Sequence, residues 1–178
     1  MKHALVVGGT GMLSDVTLFL KKEGYFVSVI GRDSSKYESI SDYSHSTFLS
    51  VDYHDDKRLN HKIQHTIQQH GPFQLIVAWI HSSAPNALSI ILNEAAKTNE
   101  EFRLFHVLGS SSDLEKIKEA ASVPENCLYH QVQLGFILEG NHSRWLTNHE
   151  IATGVVQAIK EDNPIKVIGV LEPWEKRP

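Results

Sequence analysis

Cysteine is nearly absent from this chain: Cys127 stands alone among 178 residues. A single thiol excludes an internal disulfide and any zinc site built from cysteine clusters. Cys127 itself is expected to pack as a small apolar residue rather than act as a nucleophile. Long apolar runs are missing too. None approaches the ~18 residues of a membrane span, and the apolar N-terminus is too short for a signal-peptide core with its cleavage site. A cytoplasmic location is the expectation. Surplus positive charge is also lacking. The 17 Lys and Arg against 21 Asp and Glu leave a formal charge of −4, which attracts neither nucleic acid nor an anionic membrane. No linker, repeat or low-complexity segment divides the chain. With 41% apolar and 21% charged residues, the composition is that of an ordinary globular domain. The length suffices to bury about 70% of the unfolded surface. One domain over residues 1–172 and a solvated tail, Pro173 to Pro178, is the reading; a homo-oligomer stays open.

What is present starts at the N-terminus. His3-Ala4-Leu5-Val6-Val7 reads as a strand buried on both faces, running into Gly8-Gly9-Thr10-Gly11 and then a helix. That order builds an anion site from backbone alone. Gly8 permits the tight turn, Gly11 allows close approach of a pyrophosphate, and the helix aims free N–H groups and its positive dipole end at the phosphates. Ser14 occupies the third glycine position, so the fingerprint is imperfect. Gly8, Thr10, Gly11, Met12 and Leu13 are the candidate cofactor-binding residues of this turn, and the cofactor class is a dinucleotide.

Strands and helices then alternate without a break. Helical spacing runs from Met12 to Gly24, with Gly24 in the C′ position. Strands are expected at Phe26 to Ile30, Thr47 to Val51, Leu75 to Ile80, Arg103 to Leu108, Tyr129 to Leu138 and Ile165 to Val170. Helices are expected at Asp55 to His70, Asn86 to Thr98, Ser112 to Ala121 and Thr147 to about Glu161, the last opened by a Thr147/Glu150 capping box. Apolar, non-alternating strands between helices imply an α/β Rossmann-type fold, a doubly wound parallel sheet in three α/β/α layers. The expected strand order is 3-2-1-4-5-6-7, with the switch point between strands one and four.

Several features together resemble the short-chain dehydrogenase/reductase superfamily. They are Gly8-Gly9-Thr10-Gly11-Met12-Leu13, Gly31-Arg32 after strand two, Asp52 after strand three, and Gly109-Ser110-Ser111 after strand five. Gly135-Phe136 late in strand six and Arg144-Trp145-Leu146-Thr147 before the last helix complete the set. The resemblance spans nearly the whole chain. It implies an oxidoreductase that uses a nicotinamide dinucleotide on a small carbonyl or alcohol substrate. The alternative is a non-catalytic NADP(H)-binding or redox-sensing protein, and a weaker third reading is a scaffold that serves only in assembly.

The end of strand two bears on the cofactor. An NAD site wants a carboxylate there for the ribose 2′-hydroxyl. Here Gly31 leaves room and Arg32 supplies a planar cation suited to a 2′-phosphate, with Ser34, Ser35 and Lys36 as further donors. NADP(H) is therefore preferred, with NAD(H) as the alternative. Asp33 is the competing carboxylate, or else the cap of a following helix. Asp52 resembles the family residue that meets the adenine amine, or is a turn aspartate; Tyr53 beside it joins the cofactor set.

The family's catalytic tyrosine, with a lysine four residues on, is missing from the helix after strand five. Tyr53 and Lys57 match that spacing but follow strand three, on the adenine side, and are read as coincidence. Tyr129 is followed four residues later by Gln133. The catalytic candidates are then His81 at the end of strand four, as a proton donor, and Ser110 and Ser111, as groups that orient a carbonyl. Each has a plain structural reading as well: a strand-end histidine, and serines that satisfy a turn. His106 is read as structural. His61 and His65 have metal-pair spacing, but they lie opposite the Leu59, Ile63, Ile67 stripe, and a solvated face is the better reading; no metal site is assigned. Arg144, in a polar loop of Asn141 to Arg144, either binds an anionic group or faces water.

Overall fold

The computed structural model describes residues 1–8, 10–39, 42 and 44–178. Gly9, the second glycine of the N-terminal turn, lies outside the described residues. The main sheet holds seven parallel strands: β1 (Lys2–Val7), β2 (Tyr25–Gly31), β3 (Ser46–Ser50), β4 (Phe73–Trp79), β5 (Phe102–Leu108), β6 (Cys127–Leu134) and β9 (Ile165–Ile168). Their order is β3-β2-β1-β4-β5-β6-β9, so the expected order holds and the switch point lies between β1 and β4. Strict alternation along each strand sends side chains to opposite faces. Ala4 and Val6 therefore join one core, with α1 (Ser14–Lys22) and α6 (Asn148–Glu161), while Leu5 and Val7 join the other, with α3 (Asp56–His70) and α4 (Ala87–Ala96). Both faces are covered, which is why the central strands β1 and β4 read as nearly unbroken apolar runs.

The helix ends follow their local chemistry. Gly24 takes φ +85 after α1, a conformation that costs glycine little. Thr147 and Glu150 form the reciprocal capping box at the start of α6. Asp33 caps the short α2 (Ser34–Glu38), accepting from the Ser35 N–H at 2.9 Å. The expected tail contains a 3-10 turn, Trp174–Lys176, with the Arg177 guanidinium 4.2 Å from the Trp174 ring centroid.

One expected element is corrected. The strand read as Tyr129 to Leu138 breaks at Gly135 into β6 and β7 (Phe136–Glu139), and β7 leaves the sheet to pair antiparallel with β8 (His142–Trp145). The cause is close backbone packing. A Cβ on Gly135 would lie 2.2 Å from the Val170 carbonyl oxygen, and one on Gly169 would lie 2.6 Å from that of Phe136. The chain crosses itself there through Phe136 and Val170, which exchange two backbone bonds of 2.9 Å. Gly140 and Asn141 form the hairpin turn, with Gly140 at φ +59. The polar loop expected at Asn141 to Arg144 is thus a turn and most of a strand.

Candidate functional site

A cleft of about 410 Å³ opens at the carboxyl ends of β1 to β4. That volume lies in the ~300–1,000 Å³ range of small-molecule sites. In open parallel sheets, ligands bind where connections diverge to opposite faces, and this cleft flanks that point. Its floor is the glycine turn. Gly8 takes φ +93, and a Cβ there would touch Trp79 at 3.5 Å. The Gly8 carbonyl accepts the Gly11 and Leu13 N–H groups at 3.3 and 3.0 Å. Among the described residues, the N–H groups of Thr10 and Met12 take no backbone partner. A Cβ on Gly11 would meet nothing within 4 Å. The turn therefore presents open space and free donors just ahead of α1, which suits a phosphate group.

Gly8, Thr10, Gly11, Met12, Arg32, Asp52 and Tyr53 all line the cleft. Leu13 does not: its side chain is fully buried and packs in the α1/α6 core. Its apolar side chain gains more from the core than from the cleft wall, so only its backbone belongs to the turn.

The cleft's charge is set by which groups already have partners. Both Ser35 bonds, from the hydroxyl at 2.6 Å and from the backbone, engage Asp33 and hold its carboxyl below the usual range. Asp52 accepts from the His54 N–H at 3.0 Å and from the His54 ring at 2.6 Å, which lowers its pKa likewise. The side chains of Arg32 and Lys36 have no hydrogen bond or ion pair among the described residues and line the cleft. Gly31 leaves room beside them: a Cβ there would lie 2.9 Å from the tip of the Phe48 ring, which would have to move aside.

The Tyr53 hydroxyl accepts the His81 backbone N–H at 3.1 Å. No hydrogen bond joins it to Lys57, which lies exposed in α3. His81 is exposed, and its Nδ1 accepts the Ser83 N–H at 3.1 Å. In the neutral ring that leaves the proton on Nε2. Ser110 and Ser111 sit at the carboxyl end of β5. The loop that carries them is gathered by the Gln133 amide, whose Nε2 lies within 3.1 to 3.4 Å of the carbonyls of Gly109, Ser110 and Ser112.

Other candidates take structural places. His106 is buried and bonded at 2.8 Å to the Tyr129 hydroxyl; desolvation lowers its pKa to about 4 and raises that of Tyr129 to about 12. Burial pushes the Cys127 thiol up to about 12, far from a reactive thiolate. Arg144 is neither free nor merely solvated: it pairs with Glu139 at 3.0 Å and Glu150 at 2.8 Å, tying the hairpin to the start of α6. The His61 and His65 rings stack 6.2 Å apart on the exposed face of α3. Among the described residues, no three His, Cys, Asp or Glu side chains form a metal-holding group, and no helix is long and apolar enough to cross a membrane.

Trp79, His54 and Val51 line the cleft although sequence reasoning did not select them. Trp79 had a usable signal, since the last residue of strand four faces the crevice. His54 had none, because its place depends on the turn that Asp52 caps.

No family model matches the sequence, and neither does any curated protein. Solved structures do match the fold. A short-chain dehydrogenase/reductase of the glucose/ribitol dehydrogenase type from Brucella melitensis superposes with a TM-score of 0.70 at 9% identity, over 93% of this chain and 94% of that one. ElxO with NADP bound gives 0.70 at 16% identity, over 94% and 97%. A β-ketoacyl-[ACP] reductase from Bacteroides thetaiotaomicron gives 0.68 at 14% identity, over 95% and 96%. The chain has the Rossmann-type fold of the short-chain dehydrogenases/reductases over nearly its whole length.

Proposed function

We propose that the chain binds NADP(H) in the β1–β4 cleft, in preference to NAD(H), and works as an oxidoreductase on a small carbonyl or alcohol substrate. The observation that carries the cofactor choice is the pairing pattern at the cleft. Asp33 accepts from Ser35 and Asp52 from His54, while the Arg32 and Lys36 side chains line the cleft with no hydrogen bond or ion pair among the described residues, only the longer-range attraction of Arg32 to Asp52 and of Lys36 to Asp33. A 2′-phosphate would meet two cations there, whereas Asp33 and Asp52 each already commit one carboxylate oxygen, Oδ1, to Ser35 and His54. The turn of Gly8, Thr10, Gly11 and Met12 would hold the pyrophosphate, and Asp52 and Tyr53 would flank the adenosine. The bound cofactor would supply or accept hydride. NADP is also the nucleotide bound in ElxO, which shares the fold.

The residues proposed to act on the substrate are Ser110, Ser111 and His81. The serines stand at the end of β5, and the neutral His81 ring carries a donor proton on Nε2. The test is calorimetry with NADPH and NADH, followed by spectrophotometric NADPH oxidation with a panel of small aldehydes and ketones. Tighter binding of NADPH and carbonyl-dependent oxidation are expected. Equal binding would remove the cofactor preference. Tight NADPH binding with no oxidation across the panel would make the chain a binding protein.

A further inference from the structure

At the edge of the cleft, the loops after β3 and β4 bring Asp52, which the proposed function also places at the adenosine, together with two residues that it gives no role, His54 and Ser83. The Asp52 carboxylate accepts the His54 ring Nδ1–H at 2.6 Å, and His54 Nε2 lies 2.7 Å from the Ser83 hydroxyl oxygen. A carboxylate only accepts, so the neutral His54 ring carries its proton on Nδ1 and turns a bare lone pair toward Ser83. Carboxylate, imidazole and hydroxyl thus stand in the relation by which a serine is made nucleophilic, a relation recognised by geometry and not by chain order. A second imidazole flanks the same hydroxyl: His81 Nδ1 lies 2.8 Å from the Ser83 oxygen. That nitrogen already accepts the Ser83 N–H, so it too is a lone-pair acceptor. One hydroxyl proton therefore faces two acceptors. Ser83 is exposed, and the His54 and Asp52 side chains are 41% and 48% exposed, so an acyl reagent reaches the group.

We infer that Ser83 is a nucleophilic serine, activated by His54 and Asp52, that takes acyl groups from activated esters. Ser83 Oγ attacks the ester carbonyl, forming a C–O bond, while its proton passes to His54 Nε2 and Asp52 stabilises the imidazolium. The bond to the leaving alkoxide breaks, and the alkoxide takes the proton from His54. Water then attacks the acyl-serine, giving a proton to His54 that returns to Ser83 as the carboxylic acid leaves. The ester class follows from the surroundings. The N–H after the nucleophile, that of Ala84, is already bonded to the His81 carbonyl at 3.0 Å. A donor for the oxyanion is commonly worth ~10²–10³ in rate, so an ester with a good leaving group is the substrate and an amide is not.

The test treats the full-length protein with a fluorophosphonate ester and, separately, with 4-nitrophenyl acetate. Peptide mapping by mass spectrometry should place the phosphonate on Ser83, and Ser83→Ala should take none. His54→Gln should slow labelling and acetate hydrolysis by about a hundredfold or more, since a positioned base contributes ~10²–10⁴. Both positions are exposed, and thermal melting checks that each variant is folded. A wild-type protein that carries no adduct on Ser83, or a His54→Gln protein labelled as fast as wild type, overturns the inference. Neither outcome bears on NADPH binding, which is read separately by calorimetry.

Discussion

At the scale of single residues, what matters is which polar groups already have partners. Asp33 illustrates it. In the sequence it competes with Arg32 for the cofactor ribose, and the two residues are adjacent. The structure shows its carboxylate accepting two bonds from Ser35, so it caps α2. Arg32 is left facing the cleft. A charge-assisted hydrogen bond contributes about 1.5–3 kcal/mol to binding, or roughly ten- to a hundredfold in affinity. Arg32→Glu should therefore weaken NADPH binding by that factor and bring it level with, or below, NADH. Titration of both nucleotides by calorimetry checks this; an unchanged NADPH affinity would mean that Arg32 makes no contact with the 2′-phosphate. Tyr53 gives a second residue-scale result. Its hydroxyl accepts from the His81 backbone N–H, and no hydrogen bond joins it to Lys57.

At the scale of elements, the hairpin of β7 and β8 is the main departure from the expected alternation. Residues 129–138 mix polar His130, Gln131 and Gln133 with apolar neighbours, and Gly135 is the one local mark of a break within them. The end comes from a crossing. Gly135 and Gly169 let the backbones of Phe136 and Val170 pass within bonding distance. A methyl group at 135 would collide with a carbonyl oxygen and not with a side chain that could move aside. Gly135→Ala should therefore destabilise the protein by about 1–3 kcal/mol, the usual cost of forced overpacking. Urea unfolding checks the value, and a midpoint equal to wild type would show that the crossing relaxes freely. The helix that follows needs no such correction. Thr147 and Glu150 mark its start locally, and the observed capping box has both reciprocal bonds.

For the whole molecule, two buried histidines connect the cores to solution pH. His3 bonds the Gly71 carbonyl and the Ser28 hydroxyl, each at 2.8 Å, and desolvation lowers its pKa to about 4. His106, in β5, is lowered to about 4 by the same cause. The unfolded chain binds these protons near pH 6.5. A folded pKa below the unfolded one means that the contribution is intact above pH 6.5 and is lost as pH falls toward 4. At pH 5 the loss should be on the order of 1–2 kcal/mol per histidine. Chemical unfolding at pH 7.5 and pH 5 measures it directly. Equal stability at the two values would show that neither ring stays neutral in the folded protein. The lowered carboxylates, Asp33, Asp52 and Glu150 among them, begin to lose their contribution only as pH falls toward their unfolded values, about 4 to 4.5, so the change down to pH 5 belongs to the histidines.

Local and periodic properties were legible in the sequence. Apolar runs of β1, β4 and β5, the glycine at 24, and the Thr147 cap each depend on residues within a few positions of one another, and strand-and-helix alternation then permits few arrangements. The strand order and the glycine turn of the cleft follow from that. Contacts between residues far apart in the chain were not legible. The Gly135–Val170 crossing, the Tyr53–His81 bond and the approach of His54 to Ser83 join positions separated by 28 or more residues. Periodicity carries no information about such pairs, because each partner's local pattern is satisfied equally well without the other. The sequence alone determined the layers, the order of the sheet and the place of the phosphate turn. Only the tertiary structure decided where the sixth strand ends and which hydroxyl an imidazole faces. Those outcomes rest on ångström-scale distances between loops, and loop positions are set by the packing of the whole sheet.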